Sequence, residues 1–427
     1  MPTIRPPQSS VHTSRRNLNR LWFAQSTSLV GLQAGSVAVP LLAVDVLHAN
    51  ASQVALIGTL STLPWLIAPV IGTIADRANR KRLLVVSHLG RALLWLSIPA
   101  AYLFGVLTLR QLWIVTAMVG VLSVVFGVGY RTFLPTIVPK ADLGSANGKM
   151  GGTDAVARSA GPAFAGYLIQ LIGTVWTILV QTVTSLLAGL STATIRAEHV
   201  PPSRPDADQQ SMRLVEWWKS IVDGFRCIYR IKPLRWLAIG ETTYLFFFDV
   251  CFAIVVVFFR SDLGLSAAMI GVVFSAGSLG GILGATLANR LRARAGFDAT
   301  VKTAAVLRGV GLAVLPLSLL VSGPAVIAVL IAGRAINACA WSVYEVLTDT
   351  YQQTNLPNNR RGSATAASLW LANGASTIGA ATAALIATAV DTTVLVTAAG
   401  IGAAGAGFIS LLVNTTTAHP SGSSDTE

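Results

Sequence analysis

Charge is scarce in this 427-residue chain: Asp, Glu, Lys and Arg make up only 11% of it, against about 25% in an ordinary soluble domain. With 53% hydrophobic residues and a mean hydropathy of +0.64, this excludes a disordered chain and argues against a soluble enzyme. Cysteine is scarce too. Cys227, Cys251 and Cys339 have no motif spacing, so neither a disulfide framework nor a metal site is expected. The five histidines are scattered and form no metal pair, and no cofactor is expected. No Gly-x-x-x-x-Gly-Lys-Ser/Thr loop occurs, which argues against direct ATP drive. Acidic residues are outnumbered 18 to 31 by Lys and Arg, for a formal charge of +13. In a soluble protein that excess would suggest nucleic acid. Here the basic residues stand between apolar stretches, so no nucleic-acid partner is expected. The first 17 residues are polar, without an apolar core or cleavage site, so no cleavable signal peptide is expected.

What the chain has is long apolar runs. A spanning helix needs about 20 such residues. Twelve are expected, near 19–44, 53–75, 83–107, 111–131, 147–172, 174–195, 234–260, 266–289, 300–321, 324–349, 363–389 and 392–413. Gly, Ala, Ser and Thr are frequent in them, especially over 363–413, and let helices pack closely in lipid. With the amino terminus placed in the cytosol, 25 Lys and Arg fall on the cytosolic side and only Arg110 and Arg260 opposite, with Arg91, Arg158, Arg308 and Arg334 inside spans. That asymmetry is the positive-inside pattern, and it predicts both termini in the cytosol.

The expected organisation is a cytosolic tail (1–18), a six-helix half (19–195), a central cytosolic connection (196–233), a second six-helix half (234–413) and a cytosolic tail (414–427). The connection opens with Pro201, Pro202 and Pro205. It then repeats Leu214, Trp217, Trp218, Ile221, Phe225 and Ile228 at helical spacing, with Lys219, Asp223, Arg226 and Arg230 between. This reads as an amphipathic helix on the membrane surface or one packed on the bundle ends. The halves also match one another. Ala55-Leu-Ile-Gly58 aligns with Ala268-Met-Ile-Gly271, and Thr73–Arg77 with Thr286–Arg290. Arg91 precedes Pro99 as Arg308 precedes Pro316, and Pro139 precedes Gly144 as Pro357 precedes Gly362. Parallel six-helix repeats are the plan of one large transporter class.

Between spans 2 and 3 stands Gly72-Thr-Ile-Ala-Asp76-Arg77-Ala-Asn-Arg80-Lys81-Arg82. It resembles the Gly-x-x-x-Asp-Arg-x-Gly-Arg-Arg/Lys signature of the major facilitator superfamily. Asn79 replaces the usual Gly, and Asn tolerates a left-handed turn. The resemblance implies an all-α membrane fold of two pseudo-symmetric six-helix halves. It also implies a gating cluster of Gly72, Asp76, Arg77, Arg80 and Lys81 that latches the halves in one conformation. On residue chemistry alone, the basic members could serve only as topology signals. Asn19–Gln25 at the start of span 1 and Arg131–Pro139 at the end of span 4 resemble the branch with the enterobactin exporter and macrolide-efflux-like permeases. That implies export of a drug-like or siderophore-like molecule in exchange for protons. In span 5, Gly161-Pro162-Ala-Phe-Ala-Gly166 is similar to an antiporter-associated element, though Ala157 and Ala165 stand where Gly is preferred. An ordinary small-residue packing face is the alternative.

Ionisable groups at bilayer depth are costly and therefore functional candidates. Four are the arginines Arg91, Arg158, Arg308 and Arg334. Asp154 and Arg158 stand four apart on span 5 and can pair. Glu241 and Asp249 on span 7 are separated by about 80° around the helix and could face one cavity. Proton exchange needs an acid that can release its proton to either side. Asp249 is the first candidate and Glu241 the second, with Asp154 also in reach. Glu345 and Asp349 near the cytosolic end of span 10 are expected to serve a second-half gate, with Arg290 or Arg361. Four deep arginines against about three deep acids would suit an anionic or zwitterionic cargo. Trp65, Trp95, Tyr244, Phe247, Trp341, Tyr344 and Trp370 could supply a binding surface or simple packing, and His88 a packing group or a proton relay.

The expectation is a monomeric secondary transporter, multi-pass in the cytoplasmic (inner) membrane of a bacterium. Its partners are lipid, protons and a small-molecule substrate. Import of a small polar solute is the alternative. A membrane-embedded enzyme would need clustered His, Asp, Glu or Ser, which the sequence lacks. A sensor or scaffold would need a sizeable output domain.

Overall fold

The computed structural model describes residues 8–68, 71, 79–139, 142–195, 207–356 and 360–413. Among the described residues the chain is helical, with no strand. The first half contains α1 (Gln8–Asp45), α2 (Ala51–Thr62), α3 (Arg80–Leu103), α4 (Leu109–Ile137), α5 (Leu143–Ile172) and α6 (Thr174–Ala193). Helix α7 (Ala207–Arg230) follows, then α8 (Lys232–Val257), α9 (Ala267–Ala295), α10 (Phe297–Ala313), α11 (Pro324–Asn355), α12 (Arg361–Ile386) and α13 (Thr392–Ile409). Short turns of tighter or wider helix extend α2, α8, α10 and α13.

Local chemistry sets several boundaries. Asn50 and Gln53 form a reciprocal capping box at the start of α2. Thr108 caps α4 through the Gln111 amide. Asn79 caps α3 by accepting from the Arg82 N–H at 3.2 Å. Its backbone is extended, with φ −62° and ψ 115°, so it does not adopt the left-handed turn expected of it. Its amide is used as a helix cap.

Among the described residues ten helices are long and apolar enough to cross a membrane. They correspond to ten of the twelve expected spans. The other two differ for separate reasons. The described part of span 2, Ala51–Ile67, is short, and its remainder lies outside the described residues. Span 5 is a helix of 30 residues, but Asn147, Lys149, Asp154 and Arg158 dilute its apolarity.

The helices group into two compact units, residues 1–215 with 253–275 and residues 216–252 with 276–427. The end of α8 and the start of α9 thus group with the first six helices. In the first unit α1 packs along α5 and α6, and α3 along α4 and α6. One core cluster joins Leu21, Leu84, Phe133, Met150 and Ile195. In the second unit α10 packs along α11 and α13, and a cluster joins Ile228 of α7 to Leu237, Val301, Tyr344 and Ala367. The second half of α7 is therefore packed on the bundle, as one of the two readings of this segment expected.

Candidate functional site

In the second unit α8, α10 and α11 bring together three polar residues from apolar runs. The Arg308 side chain is fully buried, and its Nη1 donates to Glu241 Oε2. Its guanidinium lies between two aromatic faces, 3.9 Å from the Tyr244 ring centroid and 3.8 Å from that of Tyr344. Among the described residues Nε and Nη2 have no hydrogen-bond acceptor, so ring faces stand where acceptors would. A buried charge is tolerable only when paired, and Glu241 supplies the pairing. The Glu241 side chain remains 29% exposed.

Asn337, also fully buried, ties this pair to a second arginine. Its Nδ2 donates to Tyr244 Oη and to the Arg308 carbonyl, each at 2.7 Å. Its Oδ1 accepts from Arg334 Nη1 at 2.8 Å. Sequence reasoning missed Asn337. The available signal was an amide three residues after a deep arginine, on the same helix face. Tyr244, Phe248 and Trp341 pack ring against ring beside it, so Tyr244 and Trp341 are packing groups.

Glu241 also borders a cavity of about 280 Å³ between α8, α11 and α12. Glu345, Asp349, Tyr344, Thr348 and Ser368 line it as well, and among the described residues no Lys or Arg does. The Ser368 Oγ is buried and has no hydrogen-bond partner among the described residues. Glu345 and Asp349, four apart, show one face of α11 to the same space. The expected counter-charge Arg290 is exposed on α9 and not part of the lining, and the side chain of Arg361 lies outside those described. Asp249 is not in the lining either. It hydrogen-bonds Ser376 of α12. Glu241 and Asp249 therefore do not share this cavity.

In the first unit, the Arg158 Nε donates to Asp154 Oδ2 at 2.7 Å, the pair expected from their spacing. Their side chains are 62% and 35% exposed, so this arginine stands on an open face. Arg91 is half-buried. Its Nη2 contacts His88 Nδ1 at 2.9 Å, and its guanidinium lies 5.0 Å from the Phe126 centroid. His88 is buried and meets the Phe126 edge at 4.8 Å, a packing arrangement. Gly72, Asp76 and Arg77 lie outside the described residues. Arg80 and Lys81 open the first turn of α3.

Gly161, Pro162 and Gly166 form the crossing of α5 with the start of α9. Pro162 cannot continue the helical hydrogen-bond ladder, and the neighbouring Ala163 N–H donates out of its helix to Ser275 Oγ at 2.9 Å. A Cβ at Gly166 would strike the Ala267 backbone, and one at Gly271 the Pro162 backbone. Gly161 abuts the Gln33 side chain of α1. Close by sequence, Arg260 at the end of span 7 donates to Asp45 at the end of span 1 at 2.8 Å and to the Leu265 carbonyl at 3.1 Å. Sequence reasoning missed this pair. The signal was one of only two outer-side cations, on a span whose counterpart in the first half ends in an acid.

The family model for the Major Facilitator Superfamily matches residues 21–366. No curated protein matches the sequence. Among solved structures, the chain resembles a bacterial homologue of the iron transporter ferroportin in an inward-facing state, at TM-score 0.70 and 16% identity over 93% of this chain and 98% of that one. It resembles the nucleoside transporter NupG at TM-score 0.67 and 12% identity, over 92% and 98%. A bacterial metal transporter matches at TM-score 0.65 and 16% identity, over 93% and 98%. At such identities the likeness is one of fold. With the family model spanning most of the chain, and with ten apolar helices able to cross a bilayer, the chain belongs to the major facilitator superfamily and is a multi-pass membrane transporter, not an enzyme.

Proposed function

We propose that the chain exports a drug-like organic cation in exchange for protons, by alternating access in the cytoplasmic membrane of a bacterium. It acts as a monomer with cytosolic termini. The observation that carries this reading is the cavity beside α8, α11 and α12, which among the described residues is lined by three acids and no base. The siderophore-like alternative drew on the four deep arginines. Arg308 is engaged by Glu241 and Arg158 by Asp154, and neither lines this cavity, which favours a cationic cargo. The structural neighbours include a metal transporter. Among the described residues no group of three His, Cys, Asp or Glu could hold a metal ion, which favours an organic cation over a bare metal.

Glu241 is the better-supported proton carrier because it both lines the cavity and holds Arg308. A proton on Glu241 competes with Arg308, and a bound cation competes with both. Asp249, held by Ser376, is the second candidate. Asp154, tied to Arg158, is the third. Glu345 and Asp349, with Arg290 or Arg361 as counter-charge, remain the proposed second-half gate. Gly72, Asp76, Arg77, Arg80 and Lys81 remain the proposed first-half latch.

The test is flux in proteoliposomes with a trapped pH dye, challenged with organic cations, macrolides and catecholate siderophores. Proton movement evoked by the cations supports the reading. A response to siderophores alone, or uptake without proton movement, overturns it.

A further inference from the structure

The apolar side of helix α7 is covered along one part and open along the adjoining edge, with Trp218 at the junction. In the covered part Ile221 is buried, Cys227 and Ile228 belong to the second unit's core, Gly224 lies against the Ser363 backbone, and Phe225 and Trp218 meet the Trp370 ring at 6.2 and 6.0 Å. The open edge faces outward. Trp218 is 51% exposed, Val222 42% and Tyr229 47%. At about 100° per residue these three fall within about 40° of each other. Lys219, Arg226 and Arg230, all exposed, occupy the strip immediately beside them, with Asp223 at its far edge. Asp223 touches Arg226 at 3.5 Å. Packing of the inner face fixes this outer face in place.

The height of the strip is set by the chain. Arg230 is followed at once by α8, which starts at Lys232 and enters the membrane. The basic strip therefore stands at the boundary between water and lipid, on the side the positive-inside pattern assigns to the cytosol. Aromatic and aliphatic groups beside arginines at that depth match acyl chains below and phosphates above.

We propose that the outer face of α7 is a docking surface for anionic phospholipids of the cytosolic leaflet. Trp218, Val222 and Tyr229 enter the acyl boundary, and Lys219, Arg226 and Arg230 bind the phosphates. Charge complementarity selects this occupant. The strip carries three cations against one acid, and the cytosolic leaflet is the anionic one. The inference does not depend on the cargo or on proton coupling.

The experiment is thermal unfolding of the purified full-length protein in zwitterionic micelles, titrated with phosphatidylglycerol, phosphatidylcholine or inorganic phosphate. Phosphatidylglycerol raises the unfolding temperature, and 0.5 M salt (roughly a 4 Å screening length) removes most of the rise. Each surface cation is worth roughly a factor of five in lipid partition. Lys219→Gln/Arg226→Gln/Arg230→Gln should therefore need at least about tenfold more phosphatidylglycerol for the same rise, with its unfolding temperature in phosphatidylcholine unchanged. Asp223→Asn should need less than the parent, which keeps the test decisive if the triple variant does not fold. Arg292→Gln/Arg294→Gln, on exposed α9 positions, should respond like the parent. Three results overturn the proposal: an equal rise with phosphatidylcholine or inorganic phosphate, an unchanged response in both α7 variants, or a dimer in micelles that the triple variant splits, which would assign the face to a second copy.

Discussion

Glu241 answers to two neighbours with opposite demands. Arg308, sealed between Tyr244 and Tyr344, needs the carboxylate charged. The cavity, shared with Asp349 and Glu345, gathers like charge against it. Removing one partner of a buried ion pair leaves the other uncompensated, at about 3–5 kcal/mol. Glu241→Gln should therefore lower stability by that amount and abolish pH-driven flux together. Adding Arg308→Met to Glu241→Gln should restore much of the stability without restoring coupling. Thermal unfolding and the trapped-dye assay measure the two separately. Asp249→Asn, which removes no ion pair, should leave stability within about 1 kcal/mol, because its Ser376 partner is neutral. If Asp249→Asn alone abolishes coupling, the carrier is Asp249 and not Glu241.

Elements show where the sequence spoke and where it was silent. The Asp154–Arg158 pair was legible, because i,i+4 spacing places both on one helix face whatever the tertiary fold. The ten apolar helices were legible for the same local reason. Glu241 and Arg308 were each legible as costly deep charges, but their pairing was not. They are 67 residues apart, and only packing of α8 on α10 decides which deep acid meets which arginine. Asn337 was invisible because an amide carries no charge to flag it. Gly161-Pro162 and Gly166 were legible as a weak point in α5, whereas its partner, the Gly271–Ser275 stretch of α9, came only from the fold. That crossing yields a prediction. A side chain at Gly271 must displace the Pro162 backbone, so Gly271→Val should cost about 1–3 kcal/mol by overpacking and lower flux. Ser275→Ala deletes only the acceptor for the Ala163 N–H and should cost about 1 kcal/mol. If both variants match the parent in unfolding temperature and flux, the crossing has no energetic role.

For the whole molecule, transport requires two arrangements of the same helices, each held by contacts the other releases. On the cytosolic side the proposed latch contains Asp76. Asp76→Asn should reduce flux at least tenfold while leaving membrane insertion intact, and normal flux in that variant would remove the latch. On the opposite side the structure offers a contact that can be measured directly. Residues 253–275 group with the first unit, fastened by Arg260 to Asp45 and by Ser275 to Ala163. The side chains of Arg260 and Asp45 are 38% and 26% exposed, so the pair is worth at most about 1 kcal/mol, or roughly a fivefold shift between arrangements. A cysteine placed at Ser275, buried in this arrangement, reports release of the segment through its rate of labelling by a membrane-impermeant maleimide, with Cys227, Cys251 and Cys339 replaced by Ala. Arg260→Gln should raise that rate up to about fivefold. Asp45→Arg combined with Arg260→Asp should bring it back, because the swap restores attraction with the polarity reversed, whereas either swap alone places like charges together and should label fastest. Equal rates in all five proteins, the parent included, would mean that the ion pair forms without holding the segment, which the α5–α9 crossing then holds alone.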